Sequence, residues 1–276
     1  MDSLILSKVT RTSPTLLAGL LFLFTAPAHA SFLYGIQLSS GTGFFDVNQI
    51  SGALTLIDST GNTSTTDLTS DLSSLIWTVD VTNAALLTID PSTGSVSSTT
   101  PLTSGAGAPV TIVSLAWNPV TQILYGTSAM GFGSATQDEL YTINAATGAV
   151  TLVGAVGFND VFALGFDNTG ALYGIAASQL LSINTSSGVG TVVAPVSLAL
   201  PFDLAFRPED NAMFVADSFT NSLYTVDPVT GAATVVGPYG SPTNVVGLAF
   251  ATPEPGTIVL SLAGLGLLAW NARKRL

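Results

Sequence analysis

Residues 223–236 read LYTV-DPVTG-AATVV, with two short alternating segments on either side of a five-residue turn. Successive side chains of a strand point to opposite faces of a sheet, so the alternation predicts two β-strands. In the turn, the Asp227 carboxylate can accept hydrogen bonds from backbone N–H groups further along. Pro228 presets φ for a type I turn, and Gly231 can take the left-handed conformation that closes such a loop. The segment therefore predicts a β-hairpin.

The same turn pattern, Asn/Asp-x-x-Ser/Thr-Gly, occurs five times along the chain. Successive glycines are 42, 54, 40 and 43 residues apart, which is the spacing of a repeated supersecondary unit. The 54-residue interval predicts an insertion near residues 131–139. The first and last residues of the five turns are Asn48 and Gly52, Asp90 and Gly94, Asn144 and Gly148, Asn184 and Gly188, and Asp227 and Gly231.

A second pattern, Leu-Ala/Gly-Trp/Phe, predicts two further strands in each repeat, because a short turn and an aromatic-bearing strand follow its first three copies. Four strands per 40 to 50 residues are typical of a propeller blade. The repeat at 68–99 is degenerate: Ile76-Trp77 stands in the aromatic position, its first strand is weak, and polar residues 59–70 predict a long loop. The copies of the second pattern are Leu115–Trp117, Leu164–Phe166, Leu204–Phe206 and Leu248–Phe250.

The two ends of the repeat region complement each other. Leu33-Tyr34-Gly35 lacks a preceding Leu-Ala-Phe strand, whereas Leu248–Phe250 lacks a following Leu-Tyr-Gly strand. One blade built from both termini would close a ring and remove exposed sheet edges. We therefore predict an all-β fold over residues 31–251: a β-propeller of five four-stranded blades, closed by strands from both termini. The alternative is an open all-β sandwich.

Charge is scarce and uneven. Only 8% of residues are charged, against about 25% in a typical soluble domain. Residues 31–255 contain one basic residue, Arg207, and sixteen acidic residues, a net charge of −15. Because nucleic-acid binding depends on Lys and Arg, this balance excludes a nucleic-acid partner, and it disfavours binding to anionic lipids. There is no cysteine, so packing alone must hold the fold.

Residues 1–30 have the three regions of a secretory signal peptide. Lys8 and Arg11 give a positive start, and Leu16–Phe24 is an apolar stretch too short to span a bilayer stably. Small residues at Ala28 and Ala30 predict cleavage by signal peptidase, which would leave Ser31 as the mature N-terminus. The alternatives are an uncleaved anchor and a buried helix.

Residues 252–276 form a distinct tail. Pro253-Glu254-Pro255 cannot continue a strand or helix. The largely apolar Gly256–Trp270 predicts a short transmembrane helix that anchors the protein transiently. Arg273-Lys274-Arg275 would stay in the cytoplasm by the positive-inside rule, which places residues 31–251 on the outer side of the inner membrane.

These three elements, in this order, resemble the PEP-CTERM sorting signal of Gram-negative bacteria. The resemblance covers about 25 residues. It implies that an exosortase recognises Pro253, Glu254 and Pro255 and cleaves nearby, so that the product is released or attached at the cell surface. It also implies an association with exopolysaccharide and the biofilm matrix.

The residue types left between positions 31 and 251 restrict the possible chemistry. The region has no His, Cys or Lys, which excludes a Ser-His-Asp triad, a cysteine nucleophile, a Schiff base and His/Cys metal ligation. Paired carboxylates for glycoside hydrolysis and oxygen ligands for Ca²⁺ remain possible. The candidate acidic groups, several of which are equally well explained as turn residues, are Asp138-Glu139 (in an exposed insertion), Asp160, Asp167-Asn168, Asp203 and Glu209-Asp210-Asn211.

Two other features have a functional and a structural interpretation. Arg207 could bind a carboxylate or an acidic sugar, but pairing with Glu209 or Asp210 in a turn is favoured. One aromatic per repeat could line a sugar-binding face, but packing between neighbouring sheets is favoured. These aromatics are Tyr34, Trp77, Tyr125, Tyr173 and Phe214.

The sequence thus predicts an exported, exosortase-processed surface or matrix protein with a non-enzymatic binding or structural role. Its expected partners are signal peptidase, exosortase and an extracellular polysaccharide, and it contacts the membrane only through its C-terminal helix before processing. No cofactor is predicted beyond Ca²⁺ as a possible ion, and the residues of any metal site are not identified. The alternative is a carboxylate-based or Ca²⁺-dependent glycan-active enzyme.

Overall fold

The structure, a computed structural model, describes residues 31–38, 43–62, 64–128, 137–240 and 244–252. These residues form five sheets of mainly antiparallel strands, each of which is one blade.

The strands of each blade are as follows. Blade 1 contains β1 (Phe32–Gln37), β2 (Gly43–Val47), β3 (Leu54–Ser59) and β21 (Val245–Ala251). Blade 2 contains β4 (Thr69–Ser70), β5 (Ile76–Asp80), β6 (Ala85–Ile89) and β7 (Val96–Pro101). Blade 3 contains β8 (Thr103–Ser104), β9 (Ser114–Asn118), β10 (Ile123–Ser128), β11 (Glu139–Ile143) and β12 (Ala149–Ala155). Blade 4 contains β13 (Val161–Phe166), β14 (Leu172–Ala176), β15 (Gln179–Ile183) and β16 (Gly190–Pro195). Blade 5 contains β17 (Pro201–Phe206), β18 (Met213–Asp217), β19 (Ser222–Val226) and β20 (Ala233–Pro238).

The five blades close into a ring. Their inner strands contact one another in the cyclic order β21, β4, β9, β13, β17 and back to β21. The ring is completed by pairing of the last strand with the first, in which Phe32 faces Ala251 and Leu33 faces Phe250. This confirms the predicted five-bladed propeller closed by strands from both termini.

Aromatic pairs join neighbouring blades. In blades 3, 4 and 5 the aromatic residue of the second strand packs on the aromatic residue that ends the inner strand of the next blade, with ring centroids 5.2–5.5 Å apart. Trp77 and Trp117 make the corresponding contact between blades 2 and 3, at 5.3 Å. The two repeated sequence patterns are therefore the two halves of one interblade contact. The repeated aromatics belong to the core between sheets, where Trp77, Tyr125 and Phe214 are buried.

Blade 2 lacks one half of this contact. Ser70 stands at the end of its inner strand, where the other blades have an aromatic residue. The Ser70 hydroxyl instead donates a short hydrogen bond to the carbonyl oxygen of Phe250 in blade 1. The predicted degeneracy of this repeat thus corresponds to a two-residue inner strand fixed by a polar contact rather than by ring packing.

The five repeat turns join the two outer strands of each blade. In each turn the Asx side chain accepts backbone N–H bonds, such as those from Ser186 and Ser187 to Asn184 Oδ1 at 2.9 and 3.0 Å. Every turn glycine has a positive φ, between 69° and 80°. Four of them also touch the outermost strand of the preceding blade so closely that an added Cβ would lie 2.0–2.5 Å from a carbonyl oxygen. These four are Gly52, Gly148, Gly188 and Gly231.

Candidate functional site

One position of the inner strands forms a ring around the propeller axis. It is the residue directly before the repeated leucine, and in all five blades it is buried. The members of this axial ring are Asp67, Ser114, Ala163, Asp203 and Gly247. Two carboxyl groups from blades 2 and 5 thus meet at the centre of the molecule, each with 0% of its surface exposed.

Each acid of the axial ring connects its own blade to the next one. Asp67 Oδ2 accepts the N–H of Leu115 in blade 3 at 2.6 Å, and Asp203 Oδ2 accepts the N–H of Leu248 in blade 1 at 2.6 Å. The second oxygen of each carboxyl accepts the N–H of the following leucine, at 2.5 Å for Asp67 and 2.6 Å for Asp203. The two carboxyl groups also lie within hydrogen-bonding reach of each other.

A direct bond between two carboxyl groups requires a proton between them, because two carboxylates have no donor and repel each other. Burial raises the pKa of both groups, and the neighbouring Asp67 charge raises the pKa of Asp203 further. The axial pair therefore holds at least one proton in the folded protein.

The axial pair has the wrong geometry for glycoside hydrolysis. That reaction places a sugar between carboxyl groups about 5–9.5 Å apart, whereas these two groups contact each other. The adjacent axial pocket, lined by residues such as Thr69, Gly165 and Ala249, has a volume of about 40 Å³. This volume holds a few water molecules, since one water needs about 10–15 Å³. It is too small for a small-molecule ligand, whose sites measure about 300–1,000 Å³. Of this pair, the sequence had singled out Asp203 but not Asp67.

The prediction that Asp138 and Glu139 lie in an exposed insertion is wrong for both residues. Asp138 is 1% exposed, and its Oδ2 accepts the N–H of Val161 in blade 4 at 2.7 Å. Burial raises the pKa of Asp138 to about 6, with a smaller upward effect from the charge of Asp160. Glu139 begins β11 and accepts a short hydrogen bond from the Tyr141 hydroxyl. Burial and this bond raise the pKa of Tyr141 to about 12. The rest of the predicted insertion lies outside the described residues.

Of the other acidic candidates, Asp160 lies directly before β13, and the rest lie in turns between the first two strands of blades 4 and 5. Asp167 Oδ1 accepts the N–H groups of Thr169 and Ala171, both at 2.9 Å. Asn168 reaches the next blade, where its side chain donates to the Pro208 carbonyl oxygen at 2.7 Å. These contacts assign Asp167 and Asn168 to the turn and to the interblade junction.

Arg207 pairs with Asp210 rather than with Glu209. Its Nε and Nη2 donate to the two Asp210 oxygens at 2.8 and 2.6 Å, which raises the pKa of Arg207 and lowers that of Asp210. The guanidinium also lies 5.1 Å from the ring centroid of Phe214 and donates to Gln49 Oε1 at 3.1 Å. Glu209 instead binds Ser31. Arg207 therefore makes these contacts at the junction between blades 5 and 1, which we call the seam.

A larger groove lies along blade 3. It has a volume of about 530 Å³ and is lined by the half-buried Trp117 together with Gln122, Thr142, Asn144 and Thr151. Its size falls in the range of small-molecule sites. An aromatic side chain beside hydroxyl and amide groups can contact both the apolar and the polar parts of a ligand.

Among the described residues, no three acidic side chains come together as a group that could hold a metal ion. Binding of Ca²⁺ stays a prediction. The described residues also include no helix long and apolar enough to cross a bilayer. The predicted helix at 256–270, the cleavage residues Ala28 and Ala30, and the sorting residues Pro253, Glu254 and Pro255 lie outside the described part of the chain.

Two family models match the chain. One, described as "Repeat of unknown function (DUF6923)", matches residues 98–261. The other, the PEP-CTERM protein-sorting motif, matches residues 251–275 and confirms the resemblance of the tail. The comparison with curated proteins gives no match.

One solved structure supports the fold, and a second is reported beside it. A chain from the crystal structure of a nidogen/laminin complex has a TM-score of 0.52 and 11% identity, covering 80% of this chain and 98% of that chain. A structural genomics protein of unknown function from Bacteroides thetaiotaomicron VPI-5482 has a TM-score of 0.47 and 16% identity, covering 75% of this chain and 50% of that chain. At these identities the first likeness concerns the fold alone.

Proposed function

This chain belongs to the family described as "Repeat of unknown function (DUF6923)", and we propose that it serves as a non-enzymatic propeller in the extracellular matrix, where it contacts neutral polysaccharide. The sorting motif implies an exported, exosortase-processed protein of the cell surface. Removal of the signal peptide by signal peptidase and the link to exopolysaccharide belong to the proposal.

The observation that carries the non-enzymatic role is the bonding of the candidate carboxylates to the protein's own backbone. Asp203, Asp138 and Asp167 each accept backbone N–H groups that would otherwise be unpaired in or between blades. Removing such an acceptor leaves a buried donor unsatisfied, so these side chains have a sufficient structural role without catalysis.

Hydroxyl groups on the outer strands favour a neutral, hydroxylated ligand. In blades 2 to 5 a Ser or Thr of the third strand faces a Ser or Thr of the fourth across the sheet, and the fourth-strand residue is exposed. These pairs are Thr88–Ser98, Thr142–Thr151, Ser182–Thr191 and Thr225–Thr234. Hydroxyl groups exchange hydrogen bonds with sugars without charge, whereas the net charge of −15 would repel a polyanion.

The groove on blade 3 is the favoured contact site because it adds an aromatic ring and two amides to one of these hydroxyl pairs. Trp117 offers an apolar face for a sugar ring, and Gln122 and Asn144 offer amide groups on the same surface. Trp117 is also held against Trp77, so its position is fixed before a ligand binds.

The test uses protein purified from the culture medium and from the cell surface, with each form identified by mass spectrometry. Matrix polysaccharide is then titrated with and without Ca²⁺, and released reducing ends are measured. We expect saturable binding and no released sugar. Thr151→Val should weaken binding about threefold to tenfold, as expected for one lost hydrogen bond, whereas Thr191→Val, the same change in blade 4, should not. Sugar release that disappears in Asp or Glu variants would refute the non-enzymatic role, and absence of binding would refute the polysaccharide contact.

A further inference from the structure

The Glu209 carboxylate binds two groups of Ser31, the first residue that the structure describes. Its Oε1 accepts the backbone N–H of Ser31 at 2.5 Å, and its Oε2 accepts the Ser31 hydroxyl at 2.9 Å. Ser31 is 4% exposed, and its carbonyl oxygen accepts the Gln49 side chain at 2.7 Å. The nitrogen, hydroxyl and carbonyl groups of one residue are thus all bound, which is unusual for the residue that precedes the first strand of a domain.

This contact crosses the seam at which the ring closes. Ser31 leads into β1 of blade 1, while Glu209 lies in the turn between β17 and β18 of blade 5, 178 positions later in the chain. On the blade 5 side Arg207 donates to Gln49, which in turn holds Ser31. The seam therefore depends partly on the chemical state of the Ser31 nitrogen.

We propose that Glu209 is a binding site for the α-ammonium group that signal-peptide cleavage creates at Ser31. In cleavage, water adds across the Ala30–Ser31 amide, leaving a carboxyl group on Ala30 and an amine on Ser31 that takes up a proton. Before cleavage the Ser31 nitrogen donates one neutral N–H to Glu209. After cleavage the same nitrogen carries a full positive charge and three donors at the same place.

The ion pair at the seam forms only in the processed protein. Charge-assisted hydrogen bonds are about twice as strong as neutral ones, and the low exposure of Ser31 limits screening by solvent. Processing thereby stabilises the seam between blades 5 and 1. The inference depends on cleavage after Ala30 and is independent of polysaccharide binding.

The amine content of the chain makes a direct test possible. Residues 31–252 contain no lysine, so the amine in the processed domain is the Ser31 α-amine, and Lys274 in the tail serves as an internal reference where the tail is retained. The exported protein is purified and its N-terminus determined by mass spectrometry. It is then treated with a limiting amount of an amine-acylating reagent between pH 6 and 9, and the labelled fraction of Ser31 is measured.

Acylation needs the unprotonated amine, and a bound carboxylate raises the pKa of an α-amine above its ordinary value of about 7.7–8.0. We expect the folded wild-type protein to be labelled at Ser31 about tenfold more slowly at pH 7.5 than Glu209→Gln, which corresponds to about one pKa unit. Glu139→Gln is the matched control, since it removes a carboxylate that also accepts a hydroxyl bond, and it should label like the wild type. The urea-unfolded wild type gives a second reference that needs no variant.

Equal labelling of the folded wild type and Glu209→Gln overturns the inference, as does equal labelling of the folded and unfolded wild type. A mature N-terminus other than Ser31 also overturns it, while leaving the polysaccharide proposal untouched. Retarded labelling that is relieved only by Glu209→Gln and by unfolding supports it.

Discussion

The proton shared by Asp203 and Asp67 makes stability depend on pH in a way that Asp203→Asn should remove. A neutral amide has nearly the shape of a protonated carboxyl. Its oxygen can accept the Leu248 N–H, and its NH₂ group can donate to Asp67. The Leu204 N–H loses its acceptor in the variant, a cost that does not depend on pH. The variant needs no proton to fill this position, whereas the wild type must hold one.

The magnitude follows from proton linkage. An unfolded aspartate has a pKa of about 3.9, and the pKa of Asp203 in the folded protein is raised well above that value. Above pH 4 the folded state therefore binds a proton that the unfolded state has released, and the free energy of unfolding falls as pH rises, by about 1.4 kcal/mol per pH unit. Between pH 5 and 7 Asp203 alone contributes up to about 2.7 kcal/mol of this loss. The pKa of Asp67 is also raised, to about 7, so the wild type as a whole loses more.

Urea unfolding of the purified exported protein at pH 5, 6 and 7 measures the effect. Asp203→Asn should gain up to about 2.7 kcal/mol relative to the wild type between pH 5 and 7. Asp227→Asn is the control, because that acid is exposed in a repeat turn and three other repeats use Asn at the same position. Its difference from the wild type should not rise over this range. A difference between Asp203→Asn and the wild type that stays flat or falls with pH would refute the shared proton.

Three further predictions concern the turns and the tail. Gly188→Ala should lower the free energy of unfolding by more than ~2 kcal/mol in urea unfolding, because its Cβ would lie 2.5 Å from the Gly154 oxygen. Gly157→Ala is the control, since Gly157 has a similar φ of 84° but open space around it, and it should cost only about 1–2 kcal/mol. Asn184→Ala removes two bonds to turn N–H groups and should cost about 1 kcal/mol in the same assay. Alanine at both Pro253 and Glu254 should block exosortase cleavage, so that mass spectrometry finds the tail retained on the exported protein.

Local chemistry explains why the fold could be predicted from the sequence. The turn pattern acts within five residues, and an aromatic residue of the blade contact occurs on each side of most turns, so counting turns gives the number of blades. The second role of the turn glycines could not be predicted in this way. The approach of Gly188 to Gly154 depends on how two sheets are placed side by side, which no single repeat encodes.

The axial pair could be predicted only in part for a related reason. Asp67 and Asp203 lie in blades 2 and 5, and they meet because the ring brings one position of every inner strand to the axis. The available signal was Asp directly before Leu at the start of an inner strand, but the degenerate inner strand of blade 2 hides the equivalence. The error at Asp138 has a similar origin, since its buried partner Val161 belongs to the next blade.

The scarcity of positive charge gives the Ser31 site its significance. Acids at the axis are neutralised by a proton or bound by backbone N–H groups, neither of which needs a cation. The seam between the first and last blades is different, because it contains Arg207 and, once cleavage has occurred after Ala30, the charge of the Ser31 nitrogen. Both cations contact the same turn of blade 5, where they pair with Asp210 and Glu209 respectively, and Gln49 connects them. A chain that closes its ring with both termini thus concentrates its positive charge where closure occurs, and one of the two charges is supplied by export itself.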